Sequence, residues 1–165
     1  MASVIRFDTW ETSTGNSVAV VNDSGDLAVS GNISGTLKSP YESWTVSATA
    51  ATGTVDVDIA TSSAWYYTTD ASANWTFNFR GDSSTTLNSL LSTGESVTVV
   101  FLVTNGATAY YPTAFTIDSS SVTPEWSGGS APSSGNASSI DSYLFTIIKT
   151  ADATFTVLAQ QVQFA

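Results

Sequence analysis

Apolar positions along this chain recur mostly at every second residue, the period of a half-buried strand. The clearest case is Asn74–Arg80, where Trp75, Phe77 and Phe79 alternate with Asn74, Thr76 and Asn78. Trp44–Ala48, Thr54–Ala60 and Ala64–Tyr67 predict strands ahead of it. Tyr143–Thr150 and Thr154–Phe164 predict two more, joined by a short turn at Ala151-Asp152-Ala153. Val99–Val103 is apolar on both faces, which predicts burial on both sides. It runs into Asn105-Gly106, the preferred two-residue type I′ turn, and so predicts a hairpin returning through Ala107–Tyr111. Pro112 cannot donate to a ladder and marks a bulge or an edge.

Three shorter β-prone runs open the chain: Val4–Trp10, Ser17–Asn22 and Asp26–Ile33, separated by turn sequences at Thr14-Gly15-Asn16 and Asp23-Ser24-Gly25. They hold too few large apolar residues for a core of their own. Residues 1–36 are therefore expected to be a β attachment and oligomerisation segment, and residues 37–165 a β-sandwich domain. Ser83–Ser92 is the one helical candidate, with Leu87, Leu90 and Leu91 on a single face and Gly94 as a stop. Thr123–Pro132 reads as a long loop anchored by Trp126.

These elements predict an all-β chain: an antiparallel β-sandwich, jelly-roll-like, behind a short strand-rich N-terminal appendage. Its core is expected to draw on Trp75, Phe77, Phe79, Val99, Phe101, Val103, Phe145, Ile147, Phe155 and Val157. With 42% hydrophobic residues, among them 5 Trp, 6 Tyr and 8 Phe, the 165-residue chain has ample material for it.

Composition narrows the chemistry. There is no His or Cys, which removes nucleophile–His triads, disulfides and the preferred zinc ligands. Arg6, Lys38, Arg80 and Lys149 are the only bases against 14 acidic residues. The resulting net charge of −10 argues against nucleic acid, which needs a basic patch. Neither a signal peptide nor an apolar run of membrane-spanning length is read in the sequence, so the chain is expected to be made in a cytoplasm without membrane insertion. Charged residues make up only 11%, so hydroxyls and amides must cover most of the surface. Low surface charge and the doubly apolar strand together predict self-association, as a homotrimer or a larger symmetric array.

Asp56, Asp58 and Glu125 are the carboxylates a glycosidase reading would require, but the first two have the spacing of an ordinary solvated strand face. Trp65, Tyr66, Tyr110, Tyr111 and Trp126 could form aromatic platforms for a glycan or a partner, or simply fill the core. Asp118-Ser119-Ser120-Ser121 offers oxygen ligands to a hard cation but lacks EF-type spacing, and reads as a turn. Arg80-Gly81-Asp82 spells an adhesion tripeptide at a strand end, where Gly-Asp equally makes a turn. No catalytic residue, cofactor or metal site is assigned, and the chain is read as non-enzymatic.

The run Asn74-Trp75-Thr76-Phe77-Asn78-Phe79-Arg80-Gly81-Asp82 carries a resemblance together with Val103-Thr104-Asn105-Gly106-Ala107, Tyr110-Tyr111-Pro112 and Trp126–Pro132. Gly135–Tyr143, Phe145–Thr150 and Thr154–Ala159 extend it to the end of the chain. Over Asn74–Ala165 the sequence resembles the C-terminal region of tail-fibre-like structural proteins of tailed bacteriophages, marine ones in particular. Gly25–Gly35 looks like the short β-repeats that precede such modules. The resemblance implies a non-enzymatic virion protein, often trimeric, made in the host bacterium. Its partners would be itself, other virion proteins and, in one variant, a host surface glycan. A short fibre or adsorption-apparatus subunit is the first reading. A capsid decoration or head-fibre protein and a glycan-binding β-sandwich module are the alternatives.

Overall fold

The computed structural model describes residues 9–11, 17–21, 27–29 and 42–164. The chain divides into two units, Met1–Tyr41 and Glu42–Ala165. In the first, β1 (Thr9–Glu11), β2 (Ser17–Val21) and β3 (Leu27–Val29) form an antiparallel meander with an irregularity at Trp10/Glu11. The remainder of the three opening runs, and the connector before Tyr41, lie outside the described residues.

In the second unit the chain builds two facing sheets. Strands β4 (Trp44–Ala50), β6 (Ala64–Thr69) and β8 (Ser96–Thr104) enter one sheet. Strands β5 (Gly53–Asp58), β7 (Trp75–Arg80) and β9 (Pro112–Ile117) enter the other. Each successive strand thus crosses to the opposite sheet, and neighbours within a sheet are two elements apart. A strand that leaves and returns after one crossing must run parallel to its predecessor, and β4–β6–β8 and β5–β7–β9 all pair in parallel. The chain then turns back through β10 (Ser120–Ser121), crosses to β11 (Glu125–Trp126), and ends in the long antiparallel hairpin of β12 (Ile140–Ala151) and β13 (Thr154–Phe164). The sheet orders are β10-β9-β7-β5 and β11-β13-β12-β8-β6-β4.

The all-β sandwich expected from the sequence is present, but its sheets are mixed rather than antiparallel. The Asn105-Gly106 hairpin does not form, because β8 and β9 belong to different sheets. Neither residue has a positive φ, and Asn105 is drawn into long-range hydrogen bonds. The type I′ geometry occurs instead at Asp118 (φ 49) and Ser119 (φ 66), which join β9 to β10. Pro112 does mark a bulge, where Trp75 pairs with Pro112 and Thr76 with Ala114.

Between the sheets Phe77 is the hub. Its ring meets Phe101 of the opposite sheet at 4.8 Å and Phe145 at 5.3 Å, both edge-on, with Trp75 and Phe79 flanking it along its own strand. Nine of the ten expected core residues are buried; Phe155 is half-buried against them. Tyr143, Leu87 and Val57 are fully buried additions. The helix shrinks to one turn, α1 (Leu87–Leu90), with Thr86 as its N-cap. Only Leu87 of the leucine trio is fully buried, while Leu90 points to solvent. The long loop holding Trp126 is interrupted by β11, which pairs in parallel with β13. Among the described residues no helix is long and apolar enough to cross a membrane.

Candidate interaction surfaces

Two surfaces of the sandwich stand out: the outward face of the six-stranded sheet, and a cleft beside β13. The doubly apolar strand β8 explains the first. Val99, Phe101 and Val103 are fully buried between the sheets, whereas Val100 and Leu102 lie on the outward face and are only half-buried. The expected burial on both sides is therefore not met within one chain. The outward row continues across the sheet. Val100 lies opposite Leu144, Leu102 beside Tyr66, and Tyr66 beside Val46.

Strand β4 inverts the usual pattern. Trp44 and Val46 are 38% and 64% exposed, while Thr45 and Ser47 share the inward side of Trp65 and Tyr67. Together with Leu144, Leu158, Val162 and Phe164, these residues comprise every exposed large hydrophobic of the described unit except Leu90. The other outward positions of the five long strands are Ser, Thr, Ala, Gln, Ile and Tyr. The one charge on this face is Glu125, on the edge strand beside Leu158. The exposed large hydrophobics of the described unit are thus concentrated on one sheet face that carries a single charge.

The ion pairs among the described residues lie on the other sheet. Arg80 Nε lies 2.6 Å from Asp58 Oδ1 and Arg80 Nη1 lies 3.1 Å from Asp56 Oδ2. The hydrogen bond to Asp58 holds the guanidinium pKa above its usual value. Asp82 accepts from the Ser84 amide and hydroxyl and from the Thr85 amide, and these bonds hold its pKa low. The Arg80-Gly81-Asp82 tripeptide is thus committed to an ion triad and a turn. A Cβ at Gly81 would stand 2.7 Å from the Thr85 carbonyl oxygen. Asp118 accepts from the Leu87 and Asn88 amides at 2.7 and 3.0 Å, so its carboxylate caps α1. Among the described residues, no group of three acidic side chains converges as a metal site.

The candidate aromatics are dispersed. Trp65 is 8% exposed and donates its indole N–H to the Ser62 carbonyl at 2.8 Å, so it is a core residue. Tyr66 belongs to the outward sheet face, where its hydroxyl lies 3.5 Å from the Thr104 hydroxyl. The Tyr110 and Tyr111 amides donate to the Asn105 and Asn74 side-chain oxygens, which fixes the loop before β9. Trp126 packs edge-on against Phe115 and Phe145, at 5.5 and 6.2 Å, and lines the cleft beside β13 with Gln161 and Gln163. The two glutamines escaped sequence analysis. Their alternation with Gln160 and Val162 was the available signal, since it places them on the side opposite the apolar face.

The chain matches no family model, no curated protein and no solved structure.

Proposed function

We propose that this chain is a non-enzymatic virion structural protein, a homotrimeric short fibre or adsorption-apparatus subunit, that assembles through the outward face of its six-stranded sheet. The virion part of this reading rests on the sequence resemblance over Asn74–Ala165. The assembly part rests on one observation: an apolar, nearly charge-free face on a chain whose net charge is −10.

Two copies of so acidic a chain repel wherever carboxylates meet, and this face is where they meet fewest. A basic partner would instead be drawn to the acidic surfaces. Five strands about 4.8 Å apart and about 25 Å long give roughly 600 Å² per subunit, the lower end of a standard interface. Residues 1–36 would then attach the subunit to the particle.

Light scattering on the purified full chain tests the assembly, with a trimer as the expected mass. A folded monomer at micromolar concentration overturns it. Imaging of intact particles carrying labelled chain tests the location. Label at the tail supports the fibre reading, label over the head moves the chain to the capsid-decoration alternative, and particles without it refute a virion role.

A further inference from the structure

Strand β11 pairs with β13 only through Glu125 and Trp126, opposite Leu158 and Ala159. The Ser127 amide makes one last bond, to the Ala159 carbonyl at 2.8 Å. The chain then turns away through Gly128 and Gly129, both left-handed with φ of 82° and 78°. From Gln160 to Phe164 the outer edge of β13 has no strand beside it among the described residues. In an antiparallel ladder, alternate residues direct both backbone groups to the same side. Ala159 points to the β11 side, so Gln161 and Gln163 present their N–H and C=O groups along the open edge.

The returning loop stands off from this edge across a cleft of about 420 Å³. That volume falls within the roughly 300–1,000 Å³ typical of small-molecule sites. Ser134 ties the loop to the strand: its carbonyl accepts from Gln161 Nε2 at 3.1 Å and lies 3.5 Å from Gln163 Nε2. Gln161 Nε2 also donates to the Tyr143 hydroxyl at 3.1 Å, so its amide is held in place. Gln163 is exposed, and among the described residues its Oε1 accepts no hydrogen bond. Trp126 and the serines at 127, 130, 133 and 134 complete a lining without a single charge.

This lining selects a ligand chemistry. A cation would find no carboxylate in the cleft and an anion no base, and the chain's net charge of −10 opposes acidic ligands further. A wholly apolar ligand would leave amides and hydroxyls desolvated without partners. Because Ser134 holds the loop against Gln161, a long peptide strand has no clear run along the edge. A neutral sugar ring suits this mostly polar lining: its hydroxyls both donate to and accept from amides and serines, and its C–H face meets the small apolar surface that the Trp126 indole contributes.

We infer that the cleft between β13 and the Ser127–Ser134 loop binds one neutral pyranose unit of a glycan, with Trp126 against the ring and Gln163 hydrogen-bonded to its hydroxyls. The site is separate from the outward sheet face, and its test does not depend on oligomeric state. The full chain is examined by saturation-transfer NMR with methyl α-D-glucopyranoside, methyl α-D-mannopyranoside and methyl β-D-galactopyranoside at millimolar concentration. At least one is expected to receive transfer, concentrated on one ring face. Gln163→Ala should weaken its binding about tenfold, the scale of one lost hydrogen bond. Trp126→Ala should abolish transfer. Trp126→Phe, which keeps the packing on Phe115 and Phe145, decides the matter if the alanine variant unfolds: weaker binding supports the site and unchanged binding overturns it. Absence of transfer to all three sugars, or tighter binding of 3′-sialyllactose, also overturns it.

Discussion

The side-chain amide of Asn105 donates to Asp141 Oδ2 across 3.0 Å, inside the end of the sandwich where β8 leaves its sheet. Both residues are buried, at 1% and 0% exposure. Asn105 also accepts from the Tyr110 amide and donates its own amide to the Ser139 carbonyl, while Asp141 accepts from the Asn136 amide. One side chain therefore joins the end of β8, the loop toward β9 and the start of β12. Asn105→Ala strands the part-buried Tyr110 amide and removes a donor from a buried carboxylate. Stability should fall by about 1–3 kcal/mol, seen as a lower midpoint in urea at unchanged slope.

That same residue marks the limit of what could be read from the chain. Alternation located Trp75–Phe79, β8 and β12, because burial of one strand face leaves a local period. The partner of each strand leaves no such trace. Asn105-Gly106 has the local preference for a hairpin, but Asp141 and Tyr110 supply bonds that favour a crossover. The parallel pairs of β4 to β9 follow from that weaving between sheets. The apolar side of β8 was legible as apolar, but which side faced solvent depended on β12 and β6 lying beside it. Trp126 was legible as an anchor. Its place beside Gln161 and Gln163 required the β11–β13 pairing, which only two residues make.

Asp141 should give the protein a pH-dependent stability of unusual sign. Burial raises its pKa, and the hydrogen bonds from the Asn136 amide and the Asn105 side chain only oppose that shift. Its Oδ1 has no partner among the described residues. A carboxyl with a raised folded-state pKa binds its proton more tightly folded than unfolded. Its burial therefore costs stability above the folded-state pKa. The cost disappears as pH falls to the ordinary value of 3.8. Asp141→Asn carries no such charge. The stability of the variant relative to wild type should decline as pH is lowered from 7 through that window, in paired denaturant titrations. A difference that stays flat with pH would show that Asp141 is not desolvated.

Lys149 is 7% exposed and directs its ammonium at the end of α1, donating to the Asn88 carbonyl at 2.5 Å and the Leu91 carbonyl at 2.9 Å. Those carbonyls are among the acceptors that a helix C-terminus leaves free, and the ammonium satisfies both. Lys149→Met keeps most of the aliphatic stem and loses both bonds. The expected cost is about 1–3 kcal/mol. Amide exchange should accelerate in Leu87–Leu91 before it does in β7. Exchange that rises uniformly across both sheets would mean that Lys149 supports the core rather than the helix.

Leu144 lies on the outward sheet face, opposite Val100 and 36% exposed. A charge placed there costs a lone subunit little, because the side chain already meets water. In an assembly that covers the face, the same charge must be stripped of water without a partner, and the cost rises to several kcal/mol. Leu144→Glu should therefore leave the unfolding midpoint of the dissociated chain within about 0.5 kcal/mol of wild type. It should also move dissociation to at least roughly tenfold higher protein concentration, each 1.4 kcal/mol being a factor of ten. Leu90→Glu is the control, since Leu90 is comparably exposed at 41% but lies on α1, away from the sheet. If both variants dissociate alike, net charge rather than the face governs assembly. If Leu144→Glu remains fully assembled, the subunits meet elsewhere.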